Sequence, residues 1–137
     1  MQVARYRTRI SGPLLDRIDI QIEVPAVRYR DLSDQGEAES SAAIRARVEA
    51  TRNVQLARFA GRGLYCNAEM GARDLRAFCN VEPAAEALIE TAMTRLGLSA
   101  RAYTRILKVA RTIADLDGSG AIGAAQVAEA IQYRSLD

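Results

Sequence analysis

Histidine and tryptophan are missing from this 137-residue chain, lysine occurs once, at Lys108, and there are only two cysteines and three prolines. With no histidine to join Cys66 and Cys79, a zinc site within the chain is excluded. Two cysteines are also too few for a disulfide framework, so reduced, partly buried thiols are expected. Aromatics make up 5% of the residues while alanine is abundant, which favours helix packing over a β-sandwich built on large rings. No apolar run approaches membrane-spanning length, and residues 2–9 hold no signal-peptide core. The chain is therefore expected to be soluble and cytoplasmic, with no membrane partner.

What is present is ordinary for a globular protein: 49% hydrophobic and 26% charged residues, enough for one domain or a small domain with an arm. The net charge of +2 implies no blanket attraction to nucleic acid. The bias to arginine suits bidentate phosphate contacts, and compositional bias accounts for it equally well.

Near the start, Ser11-Gly12-Pro13 reads as a turn feeding a short helical stretch, Leu14 to Arg17. Ile18, Ile20, Ile22 and Val24 then alternate with Asp19, Gln21 and Glu23, a period-two strand pattern ended by Pro25. A lone strand cannot satisfy its own backbone, so its partners are expected outside this sequence. Residues 26–40 are polar and read as a linker. Helices are expected near 41–60, 73–79, 83–96, 99–116 and 124–133. In the first, Ile44, Val48, Thr51 and Phe59 share a face, with Leu56 at its edge. Leu88, Ala92 and Leu96 align in the third, next to Ile89 and Met93, and Gly97 stops it. Ser99 is the N-cap of the clearest helix, whose apolar face is Tyr103, Ile106, Leu107, Ala110, Ile113 and Ala114. Arg101, Arg105, Lys108 and Thr112 line another face, with Arg111 beside them. Val127, Ala130 and Ile131 face inward in the last.

Three further patterns bear on function. Asp115 to Ile122 reads like the first eight positions of a calcium-binding EF-hand loop, but the closing position holds Gln126 where a bidentate carboxylate is needed, so an inter-helix turn is the favoured reading. Arg45, Arg47, Arg52, Arg58 and Arg62 cluster on and after the first long helix. With Glu37, Glu39 and Glu49 among them and no interleaved aromatics, a solvated or inter-subunit face is favoured over DNA contact. Finally, no Gly-x-x-x-x-Gly-Lys-Ser/Thr occurs, so the chain has no loop of its own to cradle a triphosphate.

The stretch Arg9-Ile10-Ser11-Gly12-Pro13-Leu14-Leu15-Asp16-Arg17-Ile18-Asp19, within YRTRISGPLLDRIDIQIEVP, resembles the magnesium-chelatase-like AAA+ ATPases of the competence-protein (ComM/YifB) type. LSARAYTRILKVARTIADL, AEAIQYRSLD and Cys66-Asn67-Ala68 are similar to the same family, so the resemblance covers essentially the whole chain. It implies a mainly α fold: an AAA+ lid-type helical bundle with an N-terminal arm carrying the last strand of a missing ATPase core. Residues 1–36 would be the end of that core and residues 37–137 the C-terminal lid domain. The parent would be a ring-forming motor, a hexamer, that uses ATP and magnesium and promotes DNA branch migration in natural transformation. The chain itself would bind no cofactor or metal and hydrolyse nothing. Its partners would be neighbouring ring subunits, and DNA through the parent. A free-standing helical interaction module and a calcium-binding domain are the rival readings.

Two residue roles come with the resemblance. Arg17 matches the arginine finger that reaches a neighbouring subunit's nucleotide, where a planar cation neutralises charge on the γ-phosphoryl group. Spacing alone instead reads it as a surface arginine paired with Asp16 or Asp19. Arg101 matches the sensor-2 arginine at the start of the lid helix, where it closes onto phosphates as the lid moves. Spacing alone leaves Arg101, Arg105 and Lys108 unranked.

Overall fold

The computed structural model describes residues 12–15, 17–27 and 38–134. The described residues form six α-helices: α1 (Gly12–Leu15), α2 (Ser41–Arg58), α3 (Ala72–Phe78), α4 (Pro83–Leu96), α5 (Ala100–Leu116) and α6 (Ala124–Gln132), with a single 3₁₀ turn at Asn67–Glu69. Asp16, in the family stretch, lies outside the described residues.

Helix α5 is the axis of the bundle: α2, α3, α6 and the 3₁₀ turn all pack against it, and α4 closes onto α6. Its sequence explains its place. Ile106, Leu107, Ala110, Ile113 and Ala114 recur at helical spacing and are buried, as is Ala102. Tyr103, expected on that face, is 40% exposed, while Ala102 beside it is buried. The core is completed by Phe59, Met70, Leu75, Cys79, Ala85, Ile89, Ile122, Val127 and Ala130. Phe59 and Phe78 meet edge to face with centroids 5.5 Å apart. The buried stripe of α4 is Ala85, Ile89 and Ala92, so Leu96 of the expected face is exposed.

The helix ends follow local chemistry. Ser99 Oγ accepts the Ala102 amide at 3.1 Å and starts α5, and Ser40 does the same for α2 through Ala43 at 3.2 Å. Gly97 ends α4 in the left-handed region, φ 59°, where a Cβ would be strained. The loop before α6 is pinned by an isolated parallel bridge between Val81 and Ile122.

Two regions depart from the sequence pattern. Residues 18–27 form no strand: the alternating segment runs as irregular chain, with Ile18, Ile20, Ile22 and Val24 all exposed. A period-two pattern becomes a strand only against neighbouring strands, and the described residues supply none. Helix α2 buries only Thr51 and Gln55 along its length, leaving Ile44 and Val48 exposed, since its first turns extend past the body of the bundle.

Candidate functional site on the lid helix

The site begins where Ser99 fixes the first turn of α5. Arg101 sits there, exposed, and its guanidinium bonds to no described side chain. The other two cations of its stripe are engaged. Arg105 is paired with the carboxylate of Asp19, and Lys108 donates to the Ala68 carbonyl at 2.7 Å. Among the described residues, Arg101 is the member of the three with no bonded partner. Arg17 is exposed in the turn after α1, its amide donating to the Leu14 carbonyl at 3.0 Å. Of the two surface partners its spacing suggests, Asp19 is paired with Arg105 instead, and Asp16 lies outside the described residues.

No hydrogen bond or ion pair joins Arg17 to Arg101, yet the structure brings their segments together. Asp19 is two residues beyond Arg17, and Arg105 is one helical turn beyond Arg101. Next to this region a cleft of about 660 Å³ opens between α3, α4 and α5, bordered by Arg76, Glu86, Glu90, Tyr103 and Thr104. Arg101 does not line it, and its floor is the core residues Leu75, Ile89 and Leu107. Cys79 also borders it, with a thiol that burial pushes up to about 11, which makes it a poor nucleophile.

At the far end of α5 lies a polar node that sequence reasoning missed. Asp115 is buried and receives Arg58 through both guanidinium nitrogens, one at 2.7 Å. Arg111, only 2% exposed, adds a bond from Nε at 3.1 Å and donates through its other nitrogens to the carbonyls of Gly120 (2.7 Å) and Ser119 (2.5 Å). Asn67, from the 3₁₀ turn, donates to Asp115 at 2.8 Å and to Thr112 at 3.0 Å while accepting from Arg58 at 2.8 Å. Its amide donates to Gln55 at 3.0 Å. Burial alone pushes the Asp115 carboxyl up, but the bonds from Arg58 and Asn67 and the charge of Arg111 hold it below its ordinary value.

The node corrects two expectations. Arg58 is not part of a solvated or inter-subunit arginine face, and Arg111 does not belong beside the exposed stripe of α5. Arg62 stays exposed, as expected of that face, with its guanidinium over the Phe78 ring at 4.9 Å and paired with Asp74 at 3.6 Å. The Arg111/Asp115 spacing, i and i+4 with opposite charges, was the available signal. The node also bears on the calcium-loop resemblance: the first-position carboxylate, Asp115, is paired with two guanidinium groups. Asp117 accepts from Gln126 at 2.8 Å, so the would-be first and last ligands of the loop hold protein partners.

A body of five helices, α2–α6, with α5 as its axis, preceded by a short helix and an arm, defines a helical lid-type domain. Residues 38–134 match the family model described as magnesium chelatase, subunit ChlI C-terminal, and residues 1–32 match that described as magnesium chelatase, subunit ChlI. The chain belongs to the magnesium-chelatase ChlI C-terminal family, and within it to the ComM/YifB-like members. It is 42% identical over 98% of its length to the competence protein ComM of Haemophilus influenzae. It is 41% identical over 99% of its length to the uncharacterized protein YifB of Escherichia coli. An uncharacterized protein of Mycobacterium tuberculosis is 35% identical over 95% of the chain. In each case the chain spans 26% of the relative's length. No helix among the described residues is long and apolar enough to cross a membrane.

Proposed function

We propose that this chain is the lid and sensor-2 region of a cytoplasmic, ATP-hydrolysing AAA+ motor of the ComM type, which acts on DNA and promotes branch migration in natural transformation. Residues 37–137 are the lid, and residues 1–36 the end of the ATPase core, a division supported by the family matches at 38–134 and 1–32. The observation that carries the reading is the unspent charge of Arg101 on the capped first turn of α5, beside two cations already held by the protein. An arginine so presented meets nucleotide phosphates when the lid closes. Arg17, exposed on its turn, serves a neighbouring subunit of a homo-oligomeric ring, a hexamer. ATP and magnesium are held by core elements that this sequence does not contain; the lid contributes a cation to the phosphates and no metal ligand.

The test uses a full-length protein carrying this chain. Arg17→Ala and Arg101→Ala each remove most ATPase activity, with the loss for a finger on the order of 10³-fold. Subunits with Arg17→Ala, mixed with subunits inactive in the phosphate-binding lysine, regain activity at interfaces where an intact site meets an intact finger. Arg101→Ala subunits stay inactive at their own sites beside any neighbour. Near-normal turnover in both variants would make the two positions surface charges and end the assignment.

A further inference from the structure

Among the described residues, arm and bundle are joined by three polar contacts for which the roles of Arg17 and Arg101 have no use. Asp19 is paired with Arg105 of α5. The Ile18 carbonyl accepts from Arg134 Nη1 at 2.9 Å, and the Gln21 amide donates to the Tyr133 carbonyl at 2.7 Å. All three fall in the four residues that directly follow Arg17. Behind them, Ile20 and Ile22 border a groove of about 470 Å³ together with Val109, Ile113, Leu116 and Tyr133. The arm, although it has no strand partners, is therefore held at one defined place on α5 and the end of α6.

Arg105 is the member of this clasp that belongs to the lid helix itself. Its side chain is 26% exposed, and its Nε is buried with no hydrogen-bond partner, so Asp19 is what balances its charge. Residues four apart on a helix share a face, which puts Arg105 directly along the stripe from Arg101. In a strand, alternation would put Asp19 on the face opposite Ile18 and Ile20, so the pairing of Asp19 with Arg105 does not by itself bar those side chains from a sheet.

We propose that Arg105 is a positioning residue for Arg17: by gripping Asp19 it ties the finger-bearing turn to the helix that begins with Arg101. This rests on the roles given to Arg17 and Arg101 above. Movement of the lid that brings Arg101 to the nucleotide of its own subunit then also shifts the arginine offered to the next subunit. A displacement of about an ångström at a catalytic group costs on the order of 100-fold in rate, so a loosened grip is felt in turnover.

Two measurements separate this proposal from its premise. In the 137-residue chain, Asp19→Ala or Arg105→Ala speeds exchange of the Gln21 amide at least about tenfold, a change in local opening. The double variant Asp19→Arg with Arg105→Asp restores slow exchange. In a full-length protein the single variants lower kcat about tenfold with KM for ATP unchanged, since neither residue touches nucleotide, and the charge swap recovers turnover. Exchange unmoved by either single variant, or a swap as slow as the singles, overturns the clasp. If Arg17→Ala cuts turnover while Asp19→Ala and Arg105→Ala do not, the finger stands and the positioning role falls. If Arg17→Ala leaves turnover intact, the finger reading falls, and with it the positioning role, while amide exchange still decides whether the grip exists.

Discussion

The two ends of α5 take the same side chain to opposite fates. At its start Arg101 is exposed with no partner among the described residues, and at its finish Arg111 is almost fully buried, every arm of its guanidinium bonded. Hydrophobic periodicity does not distinguish them, because both are long cations on an amphipathic helix. The difference lies in what each meets. Arg111 finds a carboxylate one turn along and two loop carbonyls, enough to offset the cost of leaving water. Arg101 has only the solvent beyond the first turn.

The sharpest way to break that comparison is to remove the carboxylate. Asp115→Ala strands Arg58 and Arg111 in the interior without a counter-charge and costs about 3–5 kcal/mol of folding stability, read from urea melting midpoints. By contrast Arg101→Ala shifts stability by less than about 0.5 kcal/mol, as at other exposed positions, although it is expected to remove ATPase activity. Equal destabilisation by the two variants would erase the distinction between the ends of α5.

Acid probes the same node without mutation. The folded-state carboxyl of Asp115 lies below its ordinary value of 3.8. Its contribution is therefore full above that value and drains away as the pH falls through it toward the lower folded value. Stability measured at about pH 3 should fall short of that at about pH 5, and the part of the slope due to this group should be missing in Asp115→Ala. A smaller effect sharpens the other end. Ser99→Ala removes the cap bond to Ala102 and costs about 1 kcal/mol. It frays the turn that presents Arg101, seen as faster amide exchange at Ala102 with the core unchanged.

The helical body was legible to within a residue or two at most ends, because caps, glycines and apolar spacing are local signals. Ser99, Gly97 and the stripe from Ile106 to Ala114 each behave as their neighbours in sequence dictate. The inner face of α4 was legible only in part, at Ala92 and the adjoining Ile89, and the exposure of α2's apolar positions was not legible. Which of several apolar residues is buried depends on the partner helix, and Ala85 and Ala92 are buried where close approach matters more than hydrophobic size. The strand pattern at Ile18 to Val24 met the same limit, since alternation states a preference that only neighbouring strands can satisfy.

From the amino-acid order came the candidate residues Arg17 and Arg101, the boundaries of the bundle and the absence of a phosphate-binding loop. These are matters of residue identity and near-neighbour spacing. Tertiary structure alone decided which arginines are spent on distant partners. Arg58 reaches Asp115 across 57 positions of sequence, and Arg105 reaches Asp19 across 86. A charge is committed or free according to what the folded chain brings within a few ångströms of it, and separations of that length leave no local trace in the sequence.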